Sequence, residues 1–178
     1  PLLRKIIIIN NSWATTAVYR LLDDEPVKKS AGRFTRADLG RIWHEDYYID
    51  RHDDLLALME KFELCYRLPD LKPDTWLATQ LLPVARPAAL HWPEKGAVQL
   101  RFEYQFLPKG LLGRHMVRMH RLLTNPDLAW RSGVLFERDG SKALVTKTYG
   151  SPEIVAQASG AHARELLAFI YDDFTQIH

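Results

Sequence analysis

The sequence predicts an α+β chain in two parts. A helical, winged-helix-like part spans residues 1–83, and an antiparallel sheet with packed helices spans 97–178, with a proline-rich linker at 84–96 between them. Three observations carry this expectation. Apolar residues recur at helical spacing in three stretches before residue 63. From Val98 onward the period changes to two, as in strands with one buried face. Pro83, Pro87 and Pro93 fall between these regimes, where few contacts are expected to cross.

The elements follow in order. After Asn11-Ser12, read as an N-cap, Ala14, Ala17, Val18, Leu21 and Leu22 share one helix face, which Asp23, Asp24 and Pro26 should end. Thr35-Arg36-Ala37-Asp38 reads as a capping box with Asp in place of Glu, opening a short helix whose apolar face is Leu39, Ile42 and Trp43. A third helix begins near Asp50, with Leu55, Leu58, Met59 and Phe62 at helical spacing and acidic residues at its positive end. FELCYRL and TWLATQLL read as two strands around a turn containing Pro69 and Pro73.

In the second part, Val98, Leu100, Phe102, Tyr104 and Phe106 alternate with Gln99, Arg101, Glu103 and Gln105, predicting a strand over 98–106 that Leu107-Pro108 terminates. A basic amphipathic helix over 110–123 follows, with Leu112, Met116, Met119 and Leu123 on the side expected to pack against that strand. WRSGVLFERDGSKALVTKTYG reads as a hairpin turning at Asp139-Gly140, a pair suited to positive φ. That turn sets Glu137 opposite Lys142, Leu135 opposite Leu144 and Val134 opposite Val145, all compatible pairs. A strand over EIVAQAS and a helix with Ala163, Leu166, Leu167, Ile170 and Phe174 on one face complete the chain.

Composition removes several function classes. The 178 residues are 47% hydrophobic and carry a net charge of only +2, an ordinary globular balance with no field suited to nucleic acid or membrane. Cys65 is the only cysteine, so no intrachain disulfide forms, which fits a reducing, cytoplasmic setting. The four isoleucines of PLLRKIIIIN fall short of a signal core, and no stretch approaches a membrane span. The first residue is proline, and residues 1–9 are expected to continue an upstream domain.

Each candidate site has a plainer alternative. A winged helix often reads DNA with its third helix, but DRHDDLLALMEKF is acidic where phosphate needs cations, so a nucleic-acid-binding winged helix is the runner-up reading. Arg114, Arg118 and Arg121 gather on one side of the basic helix and face either an acidic partner or water. His115 and His120 are five apart, on different helix faces, and His44-Glu45-Asp46 is a loop cluster, so no metal site is expected. Gly140-Ser141-Lys142 lacks the spacing of a phosphate-binding loop, and no nucleophile-base set is apparent. Of five tryptophans, Trp92 in the linker is the one expected at an interface.

Beyond these local readings, FLPKGLLGRHMVRMHRL followed by WRSGVLFE resembles the COR domain of Roco proteins. INNSWATTAVYRLL, GRFTRADL, LLALMEKFELCYRLPD and TWLATQLLP are similar, in the same order, to that family's helical first half. The resemblance implies a module that follows a Ras-like GTPase domain called Roc. Its first subdomain would be mostly helical, and its second would carry an antiparallel sheet and join two chains. By this resemblance the chain is no enzyme; it dimerises through residues 97–178 and relays the nucleotide state of the adjacent Roc domain. Phe102, Tyr104 and Trp130 then lie in the subdomain that meets the GTPase domain and the second chain. No P-loop, guanine-specificity motif or kinase signature is present. GTP or GDP and magnesium are therefore expected only in the GTPase domain, with no cofactor, metal or nucleic acid bound by this chain.

Overall fold

A computed structural model describes residues 11–69, 71–92 and 97–177. The chain divides into two compact units, Pro1–Leu81 and Leu82–His178.

In the first unit, α1 (Asn11–Asp23), α2 (Glu25–Lys29), β1 (Arg33–Thr35), α3 (Arg36–Ile42), α4 (Asp46–Ile49), α5 (His52–Lys61), β2 (Cys65–Arg67) and β3 (Thr75–Ala78) follow one another. The strands form an antiparallel sheet in the order β1-β3-β2. The expected apolar faces converge: Ala17, Leu21, Leu39, Trp43, Leu55 and Met59 are buried together with Phe34 of β1 and Trp76 of β3. Trp43 satisfies its indole by donating from Nε1 to the Ala17 carbonyl at 2.9 Å. This bond ties α3 to α1 inside a dry core.

Local chemistry altered several boundaries. Asn11 and Ser12 already belong to α1, so neither caps it from outside. The first helix ends at Asp23 as expected, and Pro26 sits in the first turn of a further helix, where a proline has no amide to satisfy. Asp24 caps that helix, accepting from Val27 N at 3.1 Å. The capping box forms as expected: Thr35 N donates to Asp38 Oδ2 at 2.9 Å, and Asp38 N donates to Thr35 Oγ1 at 3.4 Å. The strand before it went unread because three residues are too short for alternation to register. Gly32 precedes that strand at φ +84, and a Cβ there would lie 2.5 Å from the Ala78 carbonyl oxygen. The third helix begins at His52, close to the expected Asp50, but it ends at Lys61, and Phe62 just beyond it is 61% exposed rather than core.

The second unit holds β4 (Val98–Glu103), α6 (Leu111–Arg118), β5 (Ala129–Trp130), β6 (Gly133–Arg138), β7 (Ser141–Lys147), β8 (Glu153–Ser159) and α7 (Ala163–Gln176). The sheet is antiparallel in the order β4-β8-β7-β6-β5. The Asp139-Gly140 hairpin has the expected register, with Glu137 opposite Lys142, Leu135 opposite Leu144 and Val134 opposite Val145. Side-chain alternation then gives the sheet two faces. Phe136, Ala143, Val145, Ala156, Ala158 and Ile154 make one apolar face, covered by α7, whose Ala163, Leu166, Leu167, Ile170 and Phe174 are all buried. On the opposite face, Leu135 and Leu144 pack with Leu90 and Trp130.

Two expectations here required correction. β4 ends at Glu103, and Phe106 is 75% exposed, because the chain bends before Pro108. The basic helix ends at Arg118 and continues as a 3₁₀ turn over His120–Leu122. It packs against α7 and against Phe136 of β6, while α7 is the helix that covers β4.

Thr35→Ala removes one half of the capping box at the entry to α3. It is expected to lower the unfolding free energy of the first unit by about 1 kcal/mol, measured by urea titration of tryptophan fluorescence.

Candidate interaction surface

The seven residues singled out for an interface separate into three environments. Trp130 is only 4% exposed. Its ring occupies the space over Gly133, where a Cβ would come within 2.1 Å of the indole, so glycine is what admits the tryptophan. Trp92 is half-buried against the same cluster of Leu90, Leu135 and Leu144. The Arg86 guanidinium lies 6.0 Å from the Trp130 ring centre. Both tryptophans thus serve the packing of their own unit.

Two of the three arginines are also engaged within the unit. Arg118 donates from Nε to Asp173 Oδ1 at 2.5 Å and from Nη2 to Gln176 Oε1 at 3.3 Å. Arg114 donates from Nη1 to the Ile177 carbonyl at 3.3 Å, at the C-terminal end of α7 where the helix dipole favours a cation. Arg121 is exposed and carries no ion pair among the described residues. A charge reversal at Arg118 therefore perturbs the fold before it tests a partner.

Asp173 is the residue that sequence reasoning missed. It lies on the buried stripe of α7, three positions after Ile170, where only 8% of it meets solvent. A lone carboxylate on an otherwise apolar helix face was the available signal, since buried charges are paired. Its partner is His115 of α6, fully buried, with Nδ1 2.5 Å from Asp173 Oδ2. The imidazole stacks on Phe174 with ring centres 4.0 Å apart and meets Phe136 edge-on at 5.4 Å.

Burial pushes the His115 imidazole below its ordinary value, and this outweighs the opposing pull of Asp173. Burial raises the Asp173 carboxyl, but the hydrogen bonds from His115 and Arg118 outweigh that and hold it below the usual carboxylate range. The pair is therefore a neutral imidazole donating to a carboxylate that Arg118 neutralises. His115 Nε2 is buried without a hydrogen-bond partner among the described residues, and the ring is closed to solvent. The constellation orients α6 against α7.

Phe102 and Tyr104 remain at a surface. Phe102 is half-buried on β4, packed on Phe174 with ring centres 4.7 Å apart and on Tyr171 at 6.1 Å. Tyr104, also half-buried, donates its backbone N–H to Pro152 O at 3.0 Å, extending the ladder one step past Glu103. Tyr171 and Val98 beside them are 52% and 39% exposed. Asp46 of α4, Asp50 between the helices, and Asp53 and Asp54 of α5 line one hollow with Arg51, a surface that repels phosphate. Among the described residues no group of three or more His, Cys, Asp and Glu is placed to hold a metal. No helix among them is long and apolar enough to cross a membrane.

Comparison with known proteins extends this picture. Residues 1–82 match the COR-A domain and residues 95–178 the COR-B domain, each described as C-terminal of Roc. A Dictyostelium discoideum protein named probable serine/threonine-protein kinase pats1 is 27% identical over 151 residues, 78% of this chain and 5% of that protein. The Roc-COR-CHAT protease of Runella zeae is 26% identical over 148 residues, 83% of this chain and 15% of that protein. A second Dictyostelium protein, probable serine/threonine-protein kinase roco11, is 24% identical over 154 residues, 77% of this chain and 10% of its own length. The chain thus spans a small part of each relative.

Because His115 stays neutral in the folded unit, the unfolded chain binds more protons as pH falls below about 6.5. Stability of the second unit is expected to be complete above that pH and to decline as pH falls below about 6.5, with a further loss below about pH 4 as Asp173 is protonated. His115→Gln keeps a donor for Asp173 but does not titrate. Urea unfolding across pH should show the loss that begins below about pH 6.5 shrinking in that variant.

Proposed function

The chain belongs to the COR domains of Roco proteins, COR-A followed by COR-B, and on that premise we propose that it is a non-catalytic dimerisation and coupling module. In this reading it joins two copies through residues 97–178 and relays the nucleotide state of a Roc GTPase domain. The observation that carries it is the ordered match of both COR parts over nearly the whole chain, since the COR description itself implies a Roc domain alongside. GTP or GDP, with magnesium, belongs to that domain, and the setting is cytoplasmic. The kinase and protease names of the relatives describe proteins of which this chain matches only a small part.

The geometry supports this division of labour. The first unit runs two helices, a strand, three helices and two strands, with sheet order β1-β3-β2, which supports a winged-helix-like reading without a cationic recognition helix. The second unit's His115–Asp173 pair is buried, while its sheet has an open edge flanked by exposed aromatic residues. Coupling requires only that the paired and separated states interact differently with the GTP and GDP forms.

Sedimentation velocity of the chain joined to its Roc domain tests the proposal. A dimer whose dissociation constant differs by about fivefold or more between GTP-analogue and GDP states is expected. Identical association in both states would remove the relay, and a monomer throughout would remove dimerisation as well.

A further inference from the structure

A sheet edge presents unpaired N–H and C=O groups, and proteins either blunt it or pair it. One edge of the second unit's sheet is the two-residue β5, whereas the other is β4, Val98–Glu103, with β8 on one side only. Tyr104 N–H bonds Pro152 O at 3.0 Å, and the same register sets Phe102 opposite Ile154 and Leu100 opposite Ala156. In an antiparallel ladder hydrogen-bonded pairs alternate. The backbone groups of Leu100, Phe102 and Tyr104 therefore turn toward β8, and those of Gln99, Arg101 and Glu103 point away from the sheet.

The charges along this edge are unbalanced. Glu103 lies directly opposite Glu153, a like-charge pair that weakens a ladder. Arg101 reaches Glu153 diagonally at 3.4 Å, while Glu103 carries no ion pair among the described residues. On the other side of the strand, Phe102 and the 52% exposed Tyr171 form an aromatic patch that continues to the edge.

We propose that β4 pairs antiparallel with β4 of a second copy about a two-fold axis at Phe102, so that Arg101 of each copy faces Glu103 of the other. This rests on the dimerisation reading above and specifies its surface. Axes between residues set outward-pointing backbone groups against inward-pointing ones and lose the hydrogen bonds. An axis at Arg101 opposes two arginines, and one at Glu103 opposes two glutamates, both unfavourable. An axis at Leu100 sets Arg101 against Gln99 and leaves Glu103 unanswered. At Phe102, Arg101 and Glu103 exchange backbone hydrogen bonds and opposite charges, Leu100 faces Tyr104, and the two Phe102 rings meet beside both Tyr171 side chains.

The test is sedimentation equilibrium of the whole chain and of Arg101→Glu, Glu103→Arg and the double reversal, with circular dichroism confirming that each is folded. Each single reversal should weaken the dimer by about tenfold or more, and the double reversal should recover most of that loss. In a separate arm, Phe102→Cys on a Cys65→Ala background places each thiol opposite its own copy, with Cα atoms about 4.5 Å apart. Oxidation should then give a disulfide-linked dimer. A wild type that dimerises while all three charge variants match it overturns the edge pairing and leaves dimerisation to another surface, as does a double variant no tighter than the singles. Failure of the cysteine variant to cross-link does the same. A wild type that stays monomeric at every concentration removes the dimerisation reading itself.

Discussion

The Asp173 carboxylate accepts from His115 and from Arg118, each at 2.5 Å, in a position where only 8% of its surface meets water. A carboxylate so buried is tolerable only while its partners stay in place. Since His115 and Arg118 belong to α6 and Asp173 to α7, this requirement fixes one helix against the other. The position of α7 in turn decides which side chains cover the apolar face of the sheet. Phe174 is shared between the two tasks, stacking on His115 and packing on Phe102 of β4. The polar anchor and the edge strand are thus joined through one ring.

Much of this was legible in the residues. The Asp139-Gly140 hairpin and its register followed from turn chemistry and cross-strand pairing, and the buried stripe of α7 from helical spacing. The capping box at Thr35 and Asp38 was legible because its two bonds are local. What escaped had to be found in three dimensions. His115 and Asp173 are far apart in sequence, and each alone looks like a polar residue on an amphipathic helix. The three arginines looked alike on a helical wheel, yet two reach α7, and only the fold distinguishes them from Arg121. Trp130 entered the interface candidates by resemblance, and nothing local shows that Gly133 clears a space in which its ring is buried.

The function follows the same division between closed and open chemistry. His115 and Asp173 of the second unit are buried and occupied with their own neighbours, which is what a scaffold needs. The open features are a strand edge, an aromatic patch and a glutamate set against another glutamate. These suit association, in keeping with the match to domains described as C-terminal of Roc.

Amide hydrogen exchange on β4, followed residue by residue by NMR at rising protein concentration, bears most directly on the claim that this chain acts by pairing through its open sheet edge. Exchange at Arg101 and Glu103, whose N–H groups point away from the sheet, is predicted to slow as concentration rises. Exchange at Leu100 and Phe102, already bonded to β8, should change little. Outward amides that exchange at the same fast rate at every concentration, while the chain sediments as a dimer, would contradict it.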